Sequence, residues 1–365
     1  MTFYDDVENG LVKATLILAV PRSVSTALGR ALSQSPDIDS FLMQPFGAAM
    51  HEGIEPIQLI DQELEALKKV RRPTPEDPIH IVIKEMGYEL ETEDLAELAR
   101  RCENVIILCR DPLAQTYSHA KVYEKLGGRT LADKSGLHRL RYSLGDAEQS
   151  LVSQWRGLTS HFHFLAAPNL DAADAKKEPN LIVLDGDLMR AMPENTLKRT
   201  AKKLGIRYSN RMVGGWHGLS TNEAELFSTY SDAYMSTARE SKGVIKPQEL
   251  PPTLSEFPHE IRLSAQANLI NYTTMLASPH TVRPKLNRIF ADEASGDEKG
   301  SGSPVPTALA DTCPVTAYAL TATASKRGKR SEEVLQAIRK KFPQYNESFG
   351  IIDSVVFAKK AQLKL

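Results

Sequence analysis

Cysteine is scarce in this chain: Cys102, Cys109 and Cys313 are the 3 among 365 residues. They are too few and too scattered for a disulfide framework or a zinc site, and Cys102 and Cys109, flanking an apolar run, read as core residues. An excess of charge of one sign is lacking too. Lys and Arg number 45 against 46 Asp and Glu, a net charge of −1. No global field therefore points to nucleic acid or a membrane surface, and any anion site must come from local placement of positive charge. Long uncharged apolar runs are also missing. LVKATLILAV, near the start, is broken by Lys13 and preceded by the acidic MTFYDDVENG, which suits neither a signal peptide nor a membrane span. The expectation is a cytoplasmic protein with no nucleic-acid or membrane partner.

What is present is alternation. Apolar, β-rich runs at 14–20, 39–43, 79–84, 104–109 and 180–185 read as strands, three of them apolar almost throughout, as strands buried on both faces of a parallel sheet are. Helical patterns lie between them at 25–35, 56–70, 91–101, 112–125, roughly 145–166 and 193–204. Strand–helix alternation predicts a doubly wound α/β sheet, whose ligands bind beyond the carboxyl ends of the strands. Residues 206–290 read as mostly helical, and 1–290 as one α/β domain. ADEASGDEKGSGSPVP at 291–306 reads as a flexible linker or surface loop, and 307–365 as a C-terminal tail docking on the core.

Two strand ends carry chemistry. After the first strand comes PRSVSTALGRAL, in which Arg22, Ser23, Val24, Ser25 and Thr26 fill the turn and the first helical positions. Unpaired N–H groups and the positive end of the helix dipole make such a place an anion site, to which hydroxyls add donors and Arg22 a forked cation. The glycines and lysine of the nucleotide-triphosphate loop are absent, which disfavours a kinase or NTPase. The second end is IILCRDPLAQTYSHA, with Arg110 at the strand's close and Ser118 eight residues on. Either stretch alone also reads as an ordinary helix start. Together, in one parallel sheet, they deliver two arginines to one edge.

These stretches resemble the sulfotransferases that use 3'-phosphoadenosine-5'-phosphosulfate (PAPS). PRSVSTAL is similar to the family's 5'-phosphosulfate loop, commonly P-[KR]-[ST]-G-[ST]-T, and CRDPLAQTYSH to its 3'-phosphate element. LIVLDGDLMRAMPENTLKRTAKKLGI resembles a late strand–helix unit, and the resemblance covers about residues 14 to 220. It implies a P-loop-like three-layer sandwich with a central parallel sheet. It implies that Arg22, Ser23, Val24 (through its backbone), Ser25 and Thr26 hold the 5'-phosphosulfate, and Arg110 and Ser118 the 3'-phosphate. The implied reaction is metal-independent transfer of a sulfuryl group to a hydroxyl of a small molecule, PAP being the product. A homodimer is compatible with it.

The chain departs from that pattern at two places. Val24 stands where the family commonly has glycine, and is strained if the loop needs positive φ there but not if the backbone is helical or extended. Gln44-Pro45-Phe46 stands where parts of the family have a glutamate base, and an amide cannot take a proton. Lys84 and Glu85 end the third strand, so Glu85 becomes the candidate base and Lys84 its charged neighbour or a contact for the leaving group; an exposed Lys–Glu pair is the plain alternative. His51, Glu52 and His119 are further candidates. Trp216 and His217 read as acceptor-site lining or as packing, Arg239 and Lys242 as a basic loop, and His161 and His163 as pointing different ways along a helix. The alternative function is a protein of this fold that binds PAP or PAPS without transfer.

Overall fold

The computed structural model describes residues 2–87, 90, 92–127, 151–166, 178–216 and 240–245, and 265, 268, 271, 272, 274–276 and 278–282. The proposed linker 291–306 and tail 307–365 lie outside these residues, as do residues 283–290. Helix α1 (Phe3–Glu8) precedes β1 (Val12–Ala19), α2 (Ser25–Leu32), β2 (Ser40–Met43), α3 (Pro45–Glu52), α4 (Pro56–Val70), β3 (Ile79–Met86), α5 (Thr92–Arg101), β4 (Asn104–Cys109) and α6 (Pro112–Gly127). After α6 come α7 (Leu151–Ala166), β5 (Asn180–Asp185), α8 (Gly186–Ala191) and α9 (Pro193–Leu204).

The five strands form one parallel sheet in the order β2-β3-β1-β4-β5. Alternate residues of each strand feed two cores. Leu16 and Leu18 of β1 join Ile81 and Ile83 of β3 beneath α1, α4, α5 and α7, where Trp155 is fully buried. Ile17 and Ala19 join Ile106 and Leu108 of β4 beneath α2, α8 and α9. A sheet buried on both sides explains the unbroken apolar strands and is the expected three-layer α/β sandwich. Helix α2, following β1, packs on one face; α7, reached from β4 through α6, packs on the other. Strands β1 and β4 are neighbours whose connections leave to opposite faces, which opens a crevice at their carboxyl ends.

A polar chain runs beneath the apolar strand centres. The His80 ring bonds the Thr15 hydroxyl at 3.1 Å, the Asn104 amide donates to that hydroxyl at 3.5 Å, and the Asn180 amide donates to Asn104 at 2.9 Å. It ties β3, β1, β4 and β5 in register. Burial, the chief cause, holds the His80 imidazole down to about 4 and therefore neutral.

Short elements at the strand ends escape the periodicity of the sequence: α1, α3 and α8 have 6, 8 and 6 residues. Helix α2 ends at Leu32 rather than 35, and of the 206–290 stretch read as helical, 206–216 instead holds a 3-10 turn at Asn210–Met212 and a bridge between Gly214 and Gly243. Beyond β5, Thr281 bridges Val183 and adds a short rung to the sheet. Among the described residues no helix is long and apolar enough to cross a membrane.

Gly29 shows how closely α2 lies on the sheet: a Cβ there would meet the Phe41 ring at 2.2 Å. Gly29→Ala is expected to cost ~1–3 kcal/mol through overpacking, although alanine is intrinsically the better helix former by ~1 kcal/mol. Urea denaturation reads the difference directly, and an unchanged or raised stability would contradict this packing.

Candidate functional site

The loop after β1 is built from backbone in an unusual state. Arg22 (φ 64°) and Val24 (φ 73°) lie in the left-handed region, and with Gln44 (φ 56°) they are the non-glycine residues at positive φ among those described. Val24 thus takes the strained alternative, at a cost of ~1–2 kcal/mol for such a conformation in an L-residue. The surroundings over-determine it. Ser23 is buried and its hydroxyl donates to the Val20 carbonyl at 2.7 Å; the Gln115 amide donates to the Pro21 carbonyl at 2.7 Å. Gln115 in turn accepts from the Trp155 indole at 2.6 Å. Gly186 packs so close that a Cβ there would sit 2.5 Å from the Ser23 carbonyl oxygen.

Val24 occupies the cap position of α2, and no side chain caps that end. Ser25 is buried there, and Thr26, half-buried, lies 3.9 Å from the Met43 sulfur at the end of β2. The first-turn N–H groups and the positive dipole end therefore face the crevice.

The second strand end meets this loop. Ala19 pairs with Leu108, so Arg22 and Arg110 emerge side by side. Arg110 donates from Nη1 to the Arg22 carbonyl at 3.0 Å and from Nε to Asp187 at 2.8 Å. Arg22 donates from Nε to the Ser118 hydroxyl at 3.3 Å. The two stretches read separately in the sequence form one cluster, and Ser118 joins it through Arg22 rather than Arg110. Asp111 does not pair on the surface with Arg110; buried, it caps α6 by accepting from the Leu113 and Ala114 N–H groups at 3.0 and 2.9 Å.

Asp185, Asp187 and Arg190 had no assigned role in the sequence. Asp185 closes β5 and caps α8, accepting from the N–H groups of Asp187 and Leu188 on one oxygen and from the Tyr272 hydroxyl, at 2.8 Å, on the other. Burial, then the neighbouring Asp187 charge, raises its pKa to about 7. Arg190 donates to the Ile245 carbonyl at 3.0 Å; burial, then the nearby Arg110 charge, brings its pKa down to about 10. The visible signal was D-G-D at a strand end, an N-cap pattern that also sets a second carboxylate beside the arginine of the next strand.

Lys84 and Glu85 are fully buried, not an exposed pair. Successive strand residues face opposite ways, so Lys84 lies on the α2 side and Glu85 on the α4 side. Lys84 Nζ donates to the Gln44 side-chain carbonyl at 2.6 Å, and the Gln44 N–H donates to the Lys84 carbonyl at 2.7 Å. Glu85 accepts from the Phe46 N–H at 2.8 Å and so caps α3. His119 is buried near Arg22; burial, then that charge, holds its imidazole down to about 3, which makes it a weak proton acceptor. The side chains of His51 and Glu52, and all of His217 and Arg239, lie outside the described residues.

Trp216 is a packing residue in the α2 core, with Arg30 5.0 Å above its ring. Arg30 also donates to the Ser241 carbonyl at 3.0 Å, and the exposed Lys242 accepts at its carbonyl from the Gly215 and Trp216 N–H groups. His161 is buried and His163 exposed, as their spacing implies.

No family model and no curated protein matches this sequence. Solved structures that are similar include the sulfotransferase domain from the curacin biosynthetic pathway, at 14% identity and TM-score 0.36, over 70% of this chain and 96% of that one. Mouse sulfotransferase SULT7A1, complexed with PAP, is similar at 11% identity and TM-score 0.36, over 91% of this chain and 94% of its own. The sulfotransferase domain of the Synechococcus PCC 7002 olefin synthase is similar at 13% identity and TM-score 0.33, over 70% and 93%. Likenesses this distant leave the fold and the site to rest on the geometry of the chain itself.

Asp185 makes stability depend on pH. Its folded pKa, about 7, lies above the ordinary 3.8. Between those values the folded state keeps a proton that the unfolded state has lost, so this group's contribution falls as pH rises through the window and then levels off. Asp185→Asn keeps an oxygen for the two N–H groups and is expected to gain ~1–3 kcal/mol over the wild type at pH 8 but little at pH 4. Thermal melts at the two pH values test this, and a variant less stable at pH 8 would reverse the assignment.

Proposed function

We propose that this chain is a PAPS-dependent sulfotransferase acting on a hydroxyl of a small molecule. The observation that carries the reading is the Arg110–Arg22 hydrogen bond, which joins two arginines from adjacent strand ends at the uncapped start of α2. Two cations, the helix dipole and the hydroxyls of Ser25, Thr26 and Ser118 fit a ligand with two separate anionic groups. The sequence resemblance assigns the 5'-phosphosulfate to Arg22, Ser23, Val24, Ser25 and Thr26, and the 3'-phosphate to Arg110 and Ser118.

PAPS supplies an activated sulfuryl group, whose transfer, like that of a phosphoryl group, asks for positioning and charge stabilisation more than covalent help. Arg22 and the α2 N–H groups stabilise negative charge growing on the oxygen that leaves, and their geometry is fixed before any ligand arrives. Lys84, whose ammonium donates to the Gln44 side chain on the α2 side of the sheet, is the further group assigned to the leaving oxygen. Glu85 is the group that takes the proton of the acceptor hydroxyl.

A second reading, binding without transfer, draws on one observation: Glu85 already caps α3 through the Phe46 N–H, and the neighbouring Gln44 cannot replace it as a base. Sulfate transfer to a panel of hydroxyl compounds separates the two. Glu85→Gln keeps an acceptor for Phe46 and is expected to lower turnover by ~10²–10⁴-fold, with affinity for adenosine 3',5'-bisphosphate unchanged. A Glu85→Gln variant with full turnover would remove Glu85 from the mechanism.

Binding itself is tested by calorimetry without magnesium. Adenosine 3',5'-bisphosphate is expected to bind more tightly than AMP, and Arg110→Ala to weaken it by roughly 30-fold or more. Equal affinity for the two nucleotides would defeat the two-anion site.

A further inference from the structure

We propose that Asp187 is a positioning residue that aims Arg110 at the 3'-phosphate and so sets the preference for a bisphosphate over a monophosphate nucleotide; this rests on the reading above. Asp187 lies on α8, where its own N–H is fixed by Asp185 at 2.8 Å, while Gly186 before it is wedged against the Ser23 and Cys109 carbonyls. Its carboxylate therefore has a set position relative to both strand ends. Oδ1 takes the Arg110 Nε proton at 2.8 Å, and the Arg22 carbonyl takes one from Nη1. These two anchors fix the guanidinium plane. Among the described residues Nη2 makes no hydrogen bond, which leaves a donor edge for a phosphate's oxygens.

The pair is poorly built for stability alone. Both side chains are 10% exposed, and the second oxygen of Asp187 is buried with no hydrogen-bond partner among the described residues. A single-point buried ion pair with an orphaned acceptor returns little net stability. As an orienting contact it needs only the one acceptor that it uses. Asp187 also carries negative charge beside an anion site. Only a ligand group with enough charge and several oxygens to engage the remaining Arg110 edge gains from that site, which favours a phosphate over a bare ribose hydroxyl.

The test is calorimetry of the full chain with adenosine 3',5'-bisphosphate and with AMP. Asp187→Ala is expected to weaken the bisphosphate roughly tenfold while leaving AMP unchanged, and Asp187→Asn, which keeps an acceptor for Arg110 Nε, to restore most of the loss. Should Asp187→Ala not fold, Asp187→Glu serves: it retains the charge but displaces the acceptor, and the same selective loss is expected. Proportional loss of both ligands, an Asn variant as poor as Ala, or variants that bind both as the wild type does would overturn the role of Asp187. A wild type with no preference for the bisphosphate would instead overturn the nucleotide reading itself.

Discussion

The hydrogen bond from Arg110 to the Arg22 carbonyl turns two local motifs into one site. It exists because β1 and β4 are neighbours in parallel, so the residues that follow them leave the sheet together. Several neighbours at this edge brace one of the two partners. Gln115 and Trp155 hold the Pro21 carbonyl, Ser23 folds back on Val20, and Asp187 fixes Arg110. With so many anchors a valine can be kept in a left-handed turn, and strain at such a place is affordable only where the surroundings leave no alternative.

The strands were legible because burial on both faces leaves a plain apolar signature: 104–109 and 180–185 match β4 and β5 residue for residue, and Pro56–Val70 matches the amphipathic pattern at 56–70. Short helices were not. The six residues of α8 are too few for a period to emerge, and they are set by the Asp185 cap and the tight Gly186 contact instead. Arg22 and Arg110 were visible because strand ends in a parallel sheet share an edge. Asp187 was not, because its partner lies 77 positions away and only the adjacency of β4 and β5 brings them together.

The third strand end shows a different economy. Gln44, Lys84 and Glu85 lock the start of α3 through three hydrogen bonds, two of them between Gln44 and Lys84. A carboxylate at a helix start is stabilised in its charged form by the N–H it accepts. In Glu85 that bond also fixes the direction of the carboxylate at the start of α3.

The placement of β1 has a consequence for how the chain comes into being. The earliest of these five strands to be made ends up in the middle of the sheet, where Val12 waits for Ile79 on one side and Thr15 for Asn104 on the other. At ~5–20 residues per second of synthesis, that strand spends roughly 5–20 s without its second neighbour. During that interval its almost wholly apolar surface is open to wrong partners, and the Arg110–Arg22 contact does not yet exist. A chain cut short before β4 would carry Arg22 and its hydroxyls but not the Arg110 that donates to the Arg22 carbonyl. The Arg110–Arg22 contact therefore appears late in biosynthesis, once the fourth strand has docked.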